Sequence, residues 1–325
     1  MRNRIIASLT LLVMMLTAAG SAFASADTYP SKPIKLLCGY AAGGSSDILC
    51  RILADRLGKK LNQAVVVENI PGAGGWVMWN QLIKQTAPDG YTFALVNTPN
   101  YNMGKYDAAN PREYDLTAID LLANHVSDYN VIAIRSEEKR FTDFASLIEY
   151  AKANVMLVGA SAVGIMNDES TIAERLNKDL GTQIQTVTTT GAKDNETFLL
   201  NGSTDMLIAN VSDVLTGMKA GTIKVLCVFA PERIRLIPEI PTCEELGFGP
   251  IVGSSSRGYG LPRGVDADIR EKLYNALEET IKAPETVQAL EAIGAVTHFV
   301  GQNDYQAFLE NDTNTTLAIF GIEKK

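Results

Sequence analysis

Strand-like and helix-like segments alternate along this chain from residue 33 to the C-terminus, and this alternation limits the folds open to it. Residues 33–40 have the pattern of a buried strand, and residues 46–60 that of a helix with its apolar residues on one face. The same pairing recurs, with helices predicted over Trp76–Gln85 and Phe144–Ala153. Alternation of this kind predicts parallel α/β layers with helices on the faces of the sheets.

The predicted strands are too numerous for one sheet. Strands are predicted at 33–40, 63–68, 91–97, 131–135, 155–159, 184–188, 206–209, 224–229, 259–261 and 296–300. The alternation of strands and helices is less regular over 247–258. We therefore predict two α/β lobes with a ligand cleft between them, lobe 1 from residues 27–125 plus 250–325 and lobe 2 from residues 126–249. A single large Rossmann-like domain with an appendage is the alternative.

The N-terminus has the pattern of an export signal. Arg2 and Arg4 precede an apolar run of 15 residues at positions 5–19, which is shorter than the roughly 20 residues that span a bilayer. Small residues follow, so we predict a signal peptide over residues 1–26, cleaved after Ala24 or Ala26, and a periplasmic mature protein. An uncleaved N-terminal anchor is the alternative.

The charge of the mature chain excludes some partners. Removing Arg2 and Arg4 from the 29 basic residues leaves 27 against 37 acidic ones, a net charge of −10. Such an acidic chain is a poor candidate for binding nucleic acid or an anionic membrane surface. If the ligand is an anion, local groups must attract it.

The four cysteines, Cys38, Cys50, Cys227 and Cys243, form no C-x-x-C pair, and with only two histidines no zinc spacing appears. No metal or other cofactor is expected. A Cys227–Cys243 disulfide is conceivable after export. Buried thiols are favoured, because each cysteine stands where a small apolar residue fits.

A glycine-rich loop follows the first predicted strand and leads into the first helix. Its sequence over 39–47 is GYAAGGSSD. The glycines allow backbone N–H groups to face a ligand, and the helix start adds unpaired N–H groups with partial positive charge, so the loop is suited to a carboxylate. An ordinary turn with Ser46 or Asp47 as helix N-cap is the alternative. Nucleotide-binding glycine motifs are not matched.

A second loop of this kind, GASAVG at 159–164, follows another predicted strand. Two helix starts facing a cleft would form a site for a small anion. Hydrolysis is poorly supported, because no G-x-S-x-G elbow exists and a triad would have to recruit His125 or His298, which are expected to be structural. No catalytic residue is predicted, and the chain is not expected to be an enzyme.

These loops belong to an ordered series of motifs. The series comprises YPSKPIK (29–35), GGSSD (43–47), VVVEN (65–69), PGAGG (71–75), APDGYT (87–92), KAGTIKVL (219–226), IPEIPT (237–242), EELG (244–247) and GLPRG (260–264). In this series the chain resembles the extracytoplasmic solute receptors of tripartite tricarboxylate transporters, also called the Bug receptor family. The resemblance implies a type II periplasmic-binding-protein fold, carboxylate capture by the two loops, no catalysis, and large and small membrane subunits as partners of a monomer.

The chain departs from the family pattern in the second loop, where Ala162 and Ile165 replace a glycine and a serine. Arg257 lies where many relatives carry an aromatic residue and resembles the tricarboxylate-binding members. It would pair with a second ligand carboxylate, or be an exposed loop arginine. The predicted ligand-binding residues are Tyr40, Gly44, Ser45, Ser46, Asp47, Ser161, Ala162, Gly164, Asn210, Arg257 and Tyr259.

Two functions follow from the resemblance. The first is a transport receptor for a di- or tricarboxylate of citrate-like character. The second is a receptor of the same fold that reports its ligand to a membrane signalling protein.

Overall fold

The computed structural model describes residues 29–108, 111–161, 167–189 and 191–324. The strands are β1 (Ile34–Cys38), β2 (Val65–Asn69), β3 (Thr92–Thr98), β4 (Ile119–Arg135), β5 (Met156–Ser161), β6 (Ile184–Thr189), β7 (Leu207–Asn210), β8 (Ile223–Phe229), β9 (Ser254–Pro262) and β10 (Val296–Val300). The predicted signal peptide lies outside the described residues.

The helices are α1 (Ser45–Leu61), α2 (Trp76–Gln85), α3 (Asn100–Met103), α4 (Phe144–Ala153), α5 (Asp168–Leu180), α6 (Ala192–Asn201), α7 (Val211–Ala220), α8 (Ala267–Lys282), α9 (Pro284–Glu291) and α10 (Gln302–Phe320). Strands and helices therefore alternate as predicted, which confirms the α/β class. Within the described ranges, none of these helices combines the length and apolar character needed to span a membrane.

Strand direction is mixed in the main sheet, whose order is β10-β4-β9-β3-β1-β2, with β7 and β8 also paired to β4. Strand β1 pairs in parallel with β2 and β3, and β5 pairs in parallel with β6. The prediction of parallel layers is wrong for β4 and β9, which pair antiparallel. Strand β4 leads out of the first half of the molecule and β9 leads back into it, so the two must run in opposite directions.

The 17-residue strand β4 belongs to both halves of the molecule. Its residues up to Tyr129 pair with β9 and β10, whereas Asn130 and the residues after it pair with β7 and β8. Only 131–135 had been predicted as strand, so the prediction missed the part that joins the halves. The exact lobe boundaries at 125/126 and 249/250 stay a prediction.

Each half has helices on both faces of its strands, which is the two-lobed arrangement that was predicted. In the first half, one apolar cluster contains Leu53 of α1 with Leu273 of α8, and another contains Trp79 of α2 with Leu309 of α10. The indole of Trp79 is fully buried, and its Nε1–H donates to the Leu95 carbonyl at 2.8 Å. The second half has two clusters of its own.

All four cysteines are buried free thiols, as favoured from the sequence. Cys38 and Cys50 belong to one apolar cluster of the first half, and Cys227 and Cys243 to one of the second half. They contribute to the two cores as small apolar side chains.

Candidate ligand cleft

The glycine-rich loop connects β1 to α1 and is exposed over residues 41–44. Gly43 has φ +84°, a left-handed conformation that favours glycine. The N-cap of α1 is Gly44, which offers no side-chain acceptor. A Cβ at Gly44 would meet only the Ala41 carbonyl oxygen, at 3.5 Å. The loop is therefore open on its outer side, and the first turn of a 17-residue helix has no N-cap side chain bonded to its N–H groups.

Asp47 supports this loop from beneath. Its Oδ2 accepts hydrogen bonds from the Gly43 N–H at 2.8 Å and from Arg51 Nε at 2.9 Å. Its Oδ1 accepts from Asn69 Nδ2 at 2.9 Å and pairs with Arg51 Nη2 at the same distance. Burial alone would raise the pKa of Asp47, but these hydrogen bonds outweigh it and lower the pKa.

Neither Ser46 nor Asp47 is the N-cap of α1, so the alternative interpretation of the loop is wrong in that respect. Ser45 is the first residue of the helix and half-buried, and Ser46 is 7% exposed. Asp47 is 2% exposed with both oxygens engaged. Asp47 therefore lies under the loop as a support, and its predicted contact with a ligand stays a prediction.

Tyr40 joins the loop to two neighbouring segments of the first half. Its hydroxyl donates to the Gly74 carbonyl at 3.2 Å, and its own carbonyl accepts from Asn69 Nδ2 at 3.0 Å. Burial raises the pKa of Tyr40; the charge of Arg257 opposes this effect and that of Asp168 adds to it. The phenol thus lies within the field of one charged residue from β9 and one from α5.

The second predicted loop follows β5, which ends at Ser161. Ala162 and Gly164 lie outside the described residues. Beyond them, helix α5 begins at Asp168 with Asn167 as its N-cap. Asp168 Oδ2 accepts from Asn130 Nδ2 at 2.9 Å and from Asn210 Nδ2 at 3.2 Å. These bonds fix the start of α5 against β4 and β7.

Asn210, which was predicted to bind ligand, is the N-cap of α7 and is 7% exposed. Besides its bond to Asp168, its Nδ2 donates to the Asp128 carbonyl at 2.8 Å. Asn210 therefore holds the start of α5 and the start of α7 against β4.

Arg257 lies within β9, opposite Asn97 of β3 and Val126 of β4. It is 5% exposed, so the alternative of an exposed loop arginine is wrong. Its Nη1 forms an ion pair with Asp128 Oδ2 at 3.3 Å, and that carboxylate also accepts from the Ser212 N–H and hydroxyl. The guanidinium thus already has a carboxylate partner within the protein, and its predicted pairing with a ligand carboxylate stays a prediction.

The Arg257–Asp128 pair affects its two members differently. Burial raises the pKa of Asp128, and Arg257 opposes that rise without cancelling it. For Arg257, burial would lower the pKa, but the charges of Asp128 and Asp213 outweigh burial and raise it. The guanidinium therefore keeps its charge, and Asp128 is the member that takes up a proton as pH falls.

Tyr259 lies in the core of the first half, and its predicted contact with a ligand stays a prediction. It is fully buried, its hydroxyl lies 3.0 Å from His125 Nδ1, and its ring meets that of Phe93 edge-on at 5.8 Å. Tyr259 follows Arg257 by two residues on β9, which places it on the same face of the sheet but deeper, beneath α1. It belongs to the core, as does His125, whose pKa burial lowers to about 3.

His298 has a contact that its sequence position did not indicate. Its Nδ1 lies 2.8 Å from Ser127 Oγ, which lies 2.9 Å from Ser256 Oγ. The three side chains join β10, β4 and β9. Burial lowers the pKa of His298, so the ring is mainly neutral at pH 7.

The residues that sequence reasoning missed are acidic. Asp128, Asp168, Glu169 and Asp213, called the acidic cluster below, come from β4, the start of α5 and the start of α7. Burial, then Asp128 and Asp168, raise the pKa of Asp213 to about 7, with Arg257 opposing. A sequence signal did exist, because Asp168, Glu169 and Asp213 all fall in the first turn of a helix that follows a strand.

The chain matches the family model described as "Tripartite tricarboxylate transporter family receptor" over residues 49–323. It is 34% identical over 308 residues to the UPF0065 protein in the gbd 5′ region of Cupriavidus necator, covering 94% of this chain and 91% of that protein.

Two solved structures share the fold. One is a Rhodopseudomonas palustris protein with adipate, at a TM-score of 0.81 and 24% identity, covering 90% of this chain and 99% of that one. The other is the periplasmic binding protein BugD, at a TM-score of 0.79 and 24% identity, covering 91% of this chain and all of that one.

Proposed function

Because this chain belongs to the tripartite tricarboxylate transporter receptor family, we propose that it captures a small organic carboxylate in the periplasm for a membrane transporter of that class. The family is one of solute-binding proteins. A large and a small membrane subunit are the proposed partners, and residues 1–26 are the proposed export signal.

The observation that carries this proposal is the open start of α1. The backbone N–H groups in the first turn of α1, which begins at Ser45, have no hydrogen bond from an N-cap side chain and lie at the positive end of the helix dipole. Asp47 and Asn69 hold the glycine-rich loop before this turn from below, so its shape exists before a ligand arrives. Adipate, named with the R. palustris structure, is a dicarboxylate, and a carboxylate is the kind of group that an open helix start binds.

The citrate-like ligand predicted from the sequence has weaker support than a carboxylate in general. A second or third ligand carboxylate would require a cation of its own, and Arg257, the candidate for it, is paired with Asp128. We therefore propose the carboxylate class without requiring that the ligand be a tricarboxylate.

A thermal-shift screen of organic acids tests the proposal, with calorimetry on each acid that stabilises the protein. A ligand present at about 100 times its Kd adds near 2.7 kcal/mol of stability. Gly44→Val should weaken binding at least tenfold while leaving the melting temperature of the unliganded protein unchanged, because a Cβ at this position meets no close neighbour in the fold. If no organic acid stabilises the protein, or if Gly44→Val binds as the wild type does, the proposal fails.

A further inference from the structure

A groove lies between the C-terminal half of α1 and the junction of α8 with α9. Its volume is about 510 Å³, and its lining includes Arg56 of α1, Thr280 of α8 and Thr286 of α9. Arg56 follows Ser45, the first residue of α1, by 11 residues, which is about 16 Å along the helix. The groove is therefore separate from the glycine-rich loop, and the proposed function does not use it.

Two polar atoms of the lining residues lack a hydrogen-bond partner in the described part of the chain. They are Nε of Arg56 and Oγ1 of Thr286, and Thr286 is fully buried. Buried polar atoms nearly always have partners. Because both residues line the groove, a polar group bound there would supply the partners that the protein does not.

The guanidinium of Arg56 is held by carbonyl oxygens. Its Nη1 donates to the Ile52 carbonyl at 3.1 Å, and its Nη2 donates to the Glu285 carbonyl at 3.3 Å. Neither contact neutralises the positive charge. The edge formed by Nε and Nη2 is one that binds two oxygens of an oxyanion side by side, and the Nε on this edge is unpaired.

The start of α9 adds donors to the same end of the groove. Its N-cap is Ala283, which has no side-chain acceptor for the first turn, and its first residue is Pro284. The N–H groups of a first turn carry partial positive charge and bind anions. Thr286 belongs to this turn, so its unpaired hydroxyl lies beside the helix start.

The other charged residues of the lining contribute little net charge. They are exposed to solvent and comprise two cations and three carboxylates, which are Lys59, Lys60, Asp55, Glu279 and Glu285. Lys59 pairs with Asp55 at 2.7 Å, and Lys60 pairs with Glu279. Water and salt screen such exposed charges. Arg56 is only partly exposed, so its charge is the least screened of the lining and attracts an anion.

We propose that this groove binds a small tetrahedral oxyanion of the phosphate or sulfate kind, either free or as the ester group of a larger molecule. The Nε–Nη2 edge of Arg56 would bind two of its oxygens, and the Thr286 hydroxyl and the start of α9 would donate to the others. A carboxylate has only two oxygens and could not engage all of these donors at once. An inorganic anion fills a small part of 510 Å³, so the groove has room for the organic part of an ester.

Calorimetry at low ionic strength, with chloride as the only other anion, tests this site. The probes are inorganic phosphate, sulfate and glycerol 3-phosphate, and comparing the two phosphates separates the free ion from the esterified group. We expect at least one probe to bind at millimolar concentration or below. Adding NaCl to about 0.15 M should weaken this binding, because part of the attraction is between charges.

Variants then locate the anion. Arg56→Gln should lower affinity for the bound probe by about tenfold or more, since it removes a charged donor edge. Thr286→Val keeps the shape of the side chain and should lower affinity by about fivefold, the effect of one hydrogen bond. Arg175→Gln, which removes an arginine from an exposed pair with Asp179, is the matched control and should bind the probe as the wild type does.

The melting temperature of each variant without anion separates binding from folding. If Arg56→Gln melts lower but binds the probe as the wild type does, the guanidinium only joins α1 to α9 and the proposal is wrong. Failure of all three probes to bind the wild type would also overturn it.

A further comparison distinguishes the groove from the cleft. Loss of phosphate or sulfate binding in Gly44→Val, with Arg56→Gln unchanged, would place the anion at the glycine-rich loop and overturn the proposal. Arg56→Gln should bind carboxylates as the wild type does. The groove can therefore fail this test while the proposed function stands, and the proposed function can fail while the groove stands.

Discussion

Replacing Arg257 by methionine should destabilise the protein strongly, because it leaves a buried carboxylate without its cation. Arg257 and Asp128 are 5% and 0% exposed, and their side chains meet at 3.3 Å. Removing one partner of a buried ion pair costs about 3–5 kcal/mol. Methionine fills much of the same volume, so little of this loss should come from a cavity.

The loss should depend on pH in a direction that the structure fixes. In Arg257→Met, Asp128 loses the charge that opposed the rise in its pKa. Its folded-state pKa then lies further above its unfolded value, so the folded state binds a proton that the unfolded state lacks. Stability of the variant therefore decreases as pH rises through that interval, and its deficit should be larger at pH 8 than at pH 5.

Urea unfolding at both pH values measures these effects. The double variant Arg257→Met with Asp128→Asn should recover most of the loss, since an amide is neutral and its oxygen can still accept from Ser212. Arg175→Met, which breaks the exposed pair with Asp179, is the control and should cost under about 1 kcal/mol. A loss below about 1 kcal/mol for Arg257→Met at both pH values would refute the ion pair as the organising contact.

Three further predictions follow. Relative to Asp213→Asn, the unliganded wild type should lose stability as pH rises from 3.8, the ordinary pKa of an aspartate, to about 7, the folded-state pKa of Asp213, because only the wild type holds that extra folded-state proton. A difference in urea unfolding free energy between the two proteins that stays constant or changes the other way over this interval would contradict this. Asp47→Ala should lower the free energy of unfolding by about 1–3 kcal/mol, because it removes the acceptor of the Gly43 N–H and of the Asn69 amide. The loop should then be less well ordered and bind any carboxylate ligand more weakly. Unchanged affinity by calorimetry would show that Asp47 does not support the loop. N-terminal sequencing of the exported protein should begin at Ser25 or Asp27, and an intact Met1 on membrane-bound protein would exclude cleavage.

The parts of the fold that local pattern determines were predictable. Helix α2 has the bounds predicted for it, and so does α4, whose N-cap Asp143 accepts from the Ser146 N–H. The glycine loop was found because a turn and a helix start are encoded in adjacent residues. The hydrogen bond that supports this loop from below was not predicted, because Asn69 donates to Asp47 from β2, 22 residues away in the sequence.

Strands β4 and β9 were largely missed because polar residues interrupt their apolar pattern. Buried Asn124, Ser127 and Asp128 on β4 face partners from other strands and helices, among them His298, Ser256 and Ser212. These partners lie more than 80 residues away in sequence. For the same reason the acidic cluster could not be assembled from the sequence, where its members appear as unrelated helix starts.

In the described residues, the pairing of β4 changes from β9 and β10 to β7 and β8 between Tyr129 and Asn130, beside the start of β9 at Gly253 and Ser254. The two segments are tied together, because Tyr129 pairs with Ser254 and the Asn130 N–H donates to the Gly253 carbonyl at 2.9 Å. Any rotation of one half against the other must bend the backbone here. Asn130 also donates to Asp168 at 2.9 Å, so a rotation at this point would change the position of the start of α5 as well.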